Sequence, residues 1–120
     1  MLDTSPLTVA VERFADRLRA APQSRLQRGA AAEALALARE LAVRAQRLEE
    51  PDRQAPRGAA PAPEREVPDA GIFVVGDQLS VTGLDLAEAL RTCPDTGTAP
   101  SVLLDEAVAL VGLAEVRAMR

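Results

Sequence analysis

Residues 71–90 read GIFVVGDQLSVTGLDLAEAL, and the fold assigned to the chain depends on whether their first half is strand or helix. Four apolar residues, Ile72 to Val75, lie between Gly71 and Gly76, the pattern of a short strand bounded by turn residues. A two-residue type I′ or II′ turn at Gly76-Asp77 would set Val74 opposite Leu79 and Ile72 opposite Val81, four apolar side chains on one face of a hairpin. Phe73, Val75, Gln78 and Ser80 then take the other face. Thr82 can cap a following helix, with Asp85 three residues on at the positive end of the helix dipole. Leu86, Leu90 and Cys93 continue one apolar stripe. The stretch is therefore predicted to be a β-hairpin that runs into a helix over 84–92.

Beyond it, the turn-rich CPDTGTAPS at 93–101 leads to a final helix from Ser101 to about Met119. Val102, Leu103, Leu104, Val108, Leu110, Val111, Leu113 and Val116 cover nearly its whole circumference. A helix apolar all round is central to a core or shared with another chain. Upstream, Ser5-Pro6 is a helix start, and Leu7, Val11, Phe14 and Leu18 form the stripe of a first helix ending near Ala21. Pro22 breaks that helix, and SRLQ at 24–27 fits a capping box for a second one running to about Glu50. In it, Leu26, Ala30, Ala34, Leu37, Leu41, Ala45 and Leu48 keep a near-heptad, coiled-coil-like spacing. Gly29 is the weak point, costing about 1 kcal/mol relative to alanine. The short connection predicts that the two helices fold back as an antiparallel hairpin.

Between the halves, PDRQAPRGAAPAPEREVPDA at 51–70 holds five of the nine prolines and no periodic apolar pattern, the composition of a flexible linker. The expected fold is α-rich α+β: an N-terminal antiparallel helical hairpin over 1–50, a Pro/Ala-rich linker over 51–70, and a β-hairpin followed by two helices over 71–120. A two-helix hairpin has one seam, too little burial to offset its ordering entropy, so it needs a further surface.

Composition narrows the chemistry. The chain has 120 residues, 48% of them hydrophobic but only 2% aromatic, which leaves little material for a base-stacking surface. Its net charge is −4, which argues against a dedicated nucleic-acid binder, since phosphate contacts supply most non-specific affinity. All 14 basic residues are arginine, read here as the codon signature of a GC-rich, bacterial-type genome. Residues 1–50 carry an excess of arginine and 71–120 an excess of acid, so the halves are suited either to docking on each other or to choosing different partners.

No histidine is present, so neither a Ser-His-Asp nor a Cys-His device can be assembled in one chain, and zinc is not expected. Cys93 is the only cysteine and reads as a buried or semi-buried structural thiol. The sequence yields no catalytic, cofactor-binding or metal-ligating residues. No stretch approaches the length of a membrane span and the N-terminus lacks a signal-peptide pattern, so a cytoplasmic protein is expected, away from membranes.

Two resemblances attach to the opening stretch. The apolar run Ile72 to Val75, Asp77 and the Thr82-Gly83 pair before a helix resemble the PRPP-binding loop of phosphoribosyltransferases. That family's loop follows a strand, its paired acids hold the ribose hydroxyls, and its Thr-Gly turn cradles the 5′-phosphate. Here Gly76 replaces the first acid, the interval to Thr82 is one residue longer, and no second strand-crossover-strand unit is found. The resemblance implies at most a degenerate nucleotide binder. GLDLAEAL at 83–90 is similar to the helix start of acyl and peptidyl carrier proteins, but Leu86 stands where that family has the serine that bears its prosthetic arm.

The function expected from these readings is a non-enzymatic protein–protein interaction module, an adaptor, assembly factor or regulator. It is expected to self-associate through apolar helices as a homodimer or larger assembly and to take another protein as a further partner. Leu37, Leu41, Leu48, Leu104, Val108 and Val111 are the expected interaction residues. A small dimeric, transcription-associated DNA-contacting regulator is the alternative, and the degenerate phosphoribosyltransferase-like binder comes third.

Overall fold

The computed structural model describes residues 2–49, 66–93 and 98–120. They form α1 (Ser5–Ala20), α2 (Gln23–Arg25), a π-helical turn (Leu26–Ala30), α3 (Ala31–Glu49), α4 (Val75–Thr92) and α5 (Pro100–Ala118). Among the described residues there is no sheet, an isolated bridge position at Thr98 aside. Most of the expected linker, residues 51–65, lies outside the described part. Its end is ordered against the bundle: Arg39 Nε donates to the Val67 carbonyl at 3.0 Å, and Gln78 Nε2 to that of Pro68 at 2.8 Å.

The β-hairpin is overturned. Ile72 to Val74 form a turn in which the Val74 N–H donates to the Gly71 carbonyl at 3.2 Å, and the Gln78 N–H donates to Val74 at 3.1 Å to open α4. Period two and period 3.6 both fit ten residues of this stretch, but only the helical period continues across all eighteen residues of α4. Val75, Leu79, Thr82, Gly83, Leu86, Ala87 and Leu90 make one wide buried face. A two-stranded hairpin without a third strand is marginal in water, whereas α4 buries this face against both α1 and α3. Gly76 is no turn residue: its Cα lies against the Ala15 carbonyl and the Arg19 side chain, where a Cβ would meet each at 3.3 Å.

Three expected caps are also corrected. Thr4, not Ser5, is the N-cap of α1; Asp3 Oδ1 accepts from the Ser5 N–H at 3.0 Å and from its hydroxyl at 2.6 Å. Pro22 stands at the cap of α2, and SRLQ forms no capping box because its residues are already inside α2 and the π-helical turn. Thr82 is buried within α4 and donates its hydroxyl to the Leu79 carbonyl at 3.2 Å. Gly29, at φ 145°, interrupts the helical backbone in the π-helical turn, so the second helix of the sequence reading is a short lead-in joined to α3.

The helix directions follow from a few pairs. The start of α1 meets the end of α4, where Arg91 Nη1 donates to Thr4 Oγ1 at 2.8 Å, and its end meets the start of α4, where Arg19 holds Asp77 at 2.8 Å; these two run antiparallel. α1 runs parallel to α5, since Arg13 and Arg17 reach Glu115 and Arg25 reaches the Arg120 carbonyl. α3 contacts α4 and α5, with Arg44 of α3 joined to Glu106 near the start of α5 at 3.4 Å. Around the bundle the order is α1, α4, α3, α5. Consecutive helices α1 and α3 are antiparallel but lie diagonally, and the seam expected between them is filled by α4 and α5.

One core joins all four long helices. Phe14, Leu7, Val11, Leu41, Leu79, Leu86, Leu90 and Val111 are its largest fully buried side chains. Ala34, Ala38, Ala45, Ala87 and Ala107 have no exposed surface, and these small side chains let the backbones approach closely. At Gly83 the approach is closest, with a Cβ placed there coming within 2.6 Å of Val11 Cγ1.

Candidate interaction surface

The expected interaction residues fall mostly inside this core. Leu37, Leu41, Leu104 and Val111 are buried, and Leu48 and Val108 are half-buried against it. Leu37, Leu41, Leu104 and Val111 are thus covered within one chain, whereas Leu48 and Val108 keep part of their surface outside the core.

What remains outside is a different set. α5 buries Leu104, Ala107, Val111, Ala114 and Ala118 against α1 and α3, leaving an opposite strip with Val102 47% exposed, Leu113 47% and Val116 57%. Ala109, also exposed, lies on that strip, and half-exposed Gly112 lies beside it. Val9 of α1 is 63% exposed one turn before Arg13, which reaches α5, so it extends the apolar area toward α1. A second exposed pair, Val81 and Leu84, stands on the outer face of α4, and Phe73 and Val74 project at the turn before it. Sequence periodicity named Leu113 and Val116 among the apolar positions of α5 but did not separate its two sides. The signal that does so is the three-four spacing of 104, 107, 111, 114 and 118, which marks the inner side.

Charged side chains frame the bundle rather than form a reactive cluster. Glu115 is 6% exposed and accepts from Arg13 Nη2 at 2.9 Å and from Arg17 Nη1 at 3.1 Å, closing the α1–α5 seam with its charge compensated. Arg19 bridges Asp77, Asp16 and the Ser80 hydroxyl, and its hydrogen bond to Asp77 holds the guanidinium pKa above its ordinary value. Cys93 is half-buried, its Sγ 3.5 Å from the Leu90 carbonyl.

Several shallow clefts accompany these features; one, of about 360 Å³, has Ala42, Val67, Val81 and Thr82 in its walls, and two more border α3. One, of about 400 Å³, lies between α3 and the start of α4, with Leu35, Arg39, Asp69, Ile72 and Gln78 in its walls. Gln78 Oε1 is buried there without a hydrogen-bond partner among the described residues. The other, of about 270 Å³, has an apolar floor of Leu48, Leu86, Leu90 and Leu103 under Arg44 and Arg47. This last cleft reaches α5 through Leu103 and Glu106.

The stretch resembling a phosphoribosyltransferase loop lies within the α4 region. Asp77 is on the exposed side paired with Arg19, while Thr82 is buried within α4 and Gly83 is buried against Val11 of α1, so the strand, loop and Thr-Gly turn implied by the resemblance are not formed. The pair of helices an alternative DNA-contacting regulator would use, α4 and α5, meet only diagonally across the bundle. Among the described residues no group of three His, Cys, Asp or Glu side chains is placed to hold a metal ion, and no helix is long and apolar enough to cross a membrane.

Fold and surface together define an all-helical four-helix bundle with an apolar outer strip on its last helix. Against protein-family models, curated proteins and solved structures, the chain has no match.

Proposed function

We propose that this chain is a non-enzymatic protein–protein interaction module that self-associates, serving as an adaptor, assembly factor or regulator of another protein. The observation that carries the reading is the outer strip of α5, where Val102, Leu113 and Val116 stay exposed although the bundle already has a complete core. Isolated surface apolar residues need no explanation, but a row of them along one helix, widened by Val9, is the kind of patch that marks an interaction site.

The test compares two sides of one helix by sedimentation and circular dichroism. Leu113→Asp should keep the helical content and abolish association, because its side chain lies on the outer strip. Val111→Asp should instead unfold the chain, since an unpaired carboxylate would enter the core at a cost of several kcal/mol. A wild-type protein that sediments as a monomer at every accessible concentration would refute self-association.

A further inference from the structure

The strip on α5 has a charge order as well as an apolar one. Asp105 and Glu106 are exposed in its first half, Arg117 in its last and Arg120 just beyond the end of the helix, with Ala109, Gly112 and Leu113 between them. Asp105 and Arg117 have no ion-pair partner among the described residues. Resting on the self-association just described, we propose that this strip pairs antiparallel with the same strip of a second copy, about a twofold axis near the level of residue 111.

Geometry and charge select that arrangement. Glu106 and Arg117 are eleven residues apart, about three turns or roughly 16 Å along the axis, so they share one flank of the helix. A twofold axis perpendicular to the pair brings the same flank of each copy together, and residues equidistant from the axis meet. Glu106 of each copy then comes level with Arg117 of the other, twice over by symmetry. Ala109 meets Leu113, and Val102 comes level with the chain just beyond the other copy's α5, where the aliphatic stem of Arg120 can cover it. Ala109 and the adjacent Gly112 are small where the two helices cross, and no side chain occupies the space a Cβ on Gly112 would enter. Parallel pairing would place Asp105 and Glu106 against their own counterparts and the two arginines against theirs, four like-charge contacts in place of complementary ones.

Glu106 already lies 3.4 Å from Arg44 of its own chain, but it is 53% exposed and a carboxylate accepts from two arginines, as Glu115 does. The strip from Val102 to Val116 is roughly 21 Å long, one helix face and less than the ~800 Å² per partner of a standard interface. The dimer is accordingly of moderate affinity, with a dissociation constant on the order of tens of micromolar.

The experiment is sedimentation equilibrium on the full chain across a micromolar to submillimolar series, with circular dichroism checking the fold of each variant. Glu106→Arg and Arg117→Glu should each weaken the wild-type dimer ~tenfold or more, because each creates two like-charge pairs. An equimolar mixture of the two single variants should associate again, since every 106–117 contact across the interface then joins opposite charges. Ala109→Arg, which leaves the Glu106–Arg44 contact intact, should also abolish association by filling the crossing point. A wild-type dimer that is indifferent to Ala109→Arg, or singles that fail to recover on mixing, would overturn the antiparallel α5 arrangement while leaving self-association standing. A wild-type monomer throughout would overturn both.

Discussion

Replacing Gly83 by alanine sets two effects of opposite sign against each other, and the structure decides the winner. In a helix interior, alanine is favoured over glycine by about 1 kcal/mol, so on propensity alone Gly83→Ala should stabilise α4. A Cβ at this position, however, would stand 2.6 Å from Val11 Cγ1, 2.9 Å from Cγ2 and 3.1 Å from Cβ. Carbon atoms pack favourably at about 3.5–4.0 Å, so the overlap approaches 1 Å. Val11 is 1% exposed and β-branched, and both its methyls and its Cβ are too close, so a rotamer change cannot relieve the contact. α1 and α4 must move apart, loosening the packing around Leu7, Phe14, Leu79 and Leu86. Overpacking of this kind costs roughly 1–3 kcal/mol, and after the helix-propensity gain of about 1 kcal/mol a net destabilisation of up to about 2 kcal/mol remains. Urea unfolding should show a lower midpoint at unchanged slope, and Val11→Ala should partly compensate in a double-mutant cycle. The comparison is Gly112→Ala, where nothing lies within 4 Å of the new Cβ; in dilute, monomeric protein it should stabilise by about 0.5–1 kcal/mol. Equal stabilisation by both substitutions would refute the close α1–α4 approach.

Phe14→Ala removes the largest fully buried side chain and should cost about 3–5 kcal/mol, read from urea or thermal unfolding. Glu115→Gln weakens the bonds from Arg13 and Arg17, and because both arginines are more than half exposed the loss should stay near 1 kcal/mol in denaturant titration. Gly29→Ala should destabilise by roughly 1 kcal/mol or more in the same assay, since φ 145° strains any residue with a Cβ. The Ser5 hydroxyl, and then its N–H, hold the Asp3 pKa below the ordinary 3.8, so its contribution is complete above that value and is lost as pH falls through the lower folded pKa. Asp3→Asn should remove that part of the acid dependence below pH 3.8, measured as stability against pH.

The first half of the chain was legible because its stripe is unambiguous. Leu7, Val11, Phe14 and Leu18 recur only at helical spacing, and all four are buried. Which helix each would meet was not legible: a short connection fixes that α1 and α3 run antiparallel, but not that α4 and α5 separate them. The stretch 71–90 misled because Ile72-Phe73-Val74-Val75 is β-branched and aromatic, and Gly76-Asp77 is a common hairpin turn. Local preference favoured a strand there, and the demand of two flanking helices for one continuous apolar face prevailed. The sequence places Gly76 in a turn and Gly83 behind a helix cap, yet both serve close approach to α1, a role that only the packing against α1 reveals.

The all-round apolar pattern of the last helix calls for burial without identifying which side is covered. Counting apolar residues gives every direction around α5 nearly equal weight. The structure divides them by size: three of the five apolar residues buried on the inner side are alanines, while Val102, Leu113 and Val116 face outward. Small residues inside allow α5 to approach α1 and α3 closely, which gains packing contacts along the whole helix. The larger side chains outside are another matter, because full burial of a valine or leucine is worth about 1.5–3 kcal/mol that the isolated bundle forgoes. A helix serving only its own bundle would gain from the reverse placement, with polar residues at 102, 113 and 116. The observed placement is accounted for when a second surface covers the strip, and the acids at one end with arginines at the other make the strip of a second copy a complementary cover.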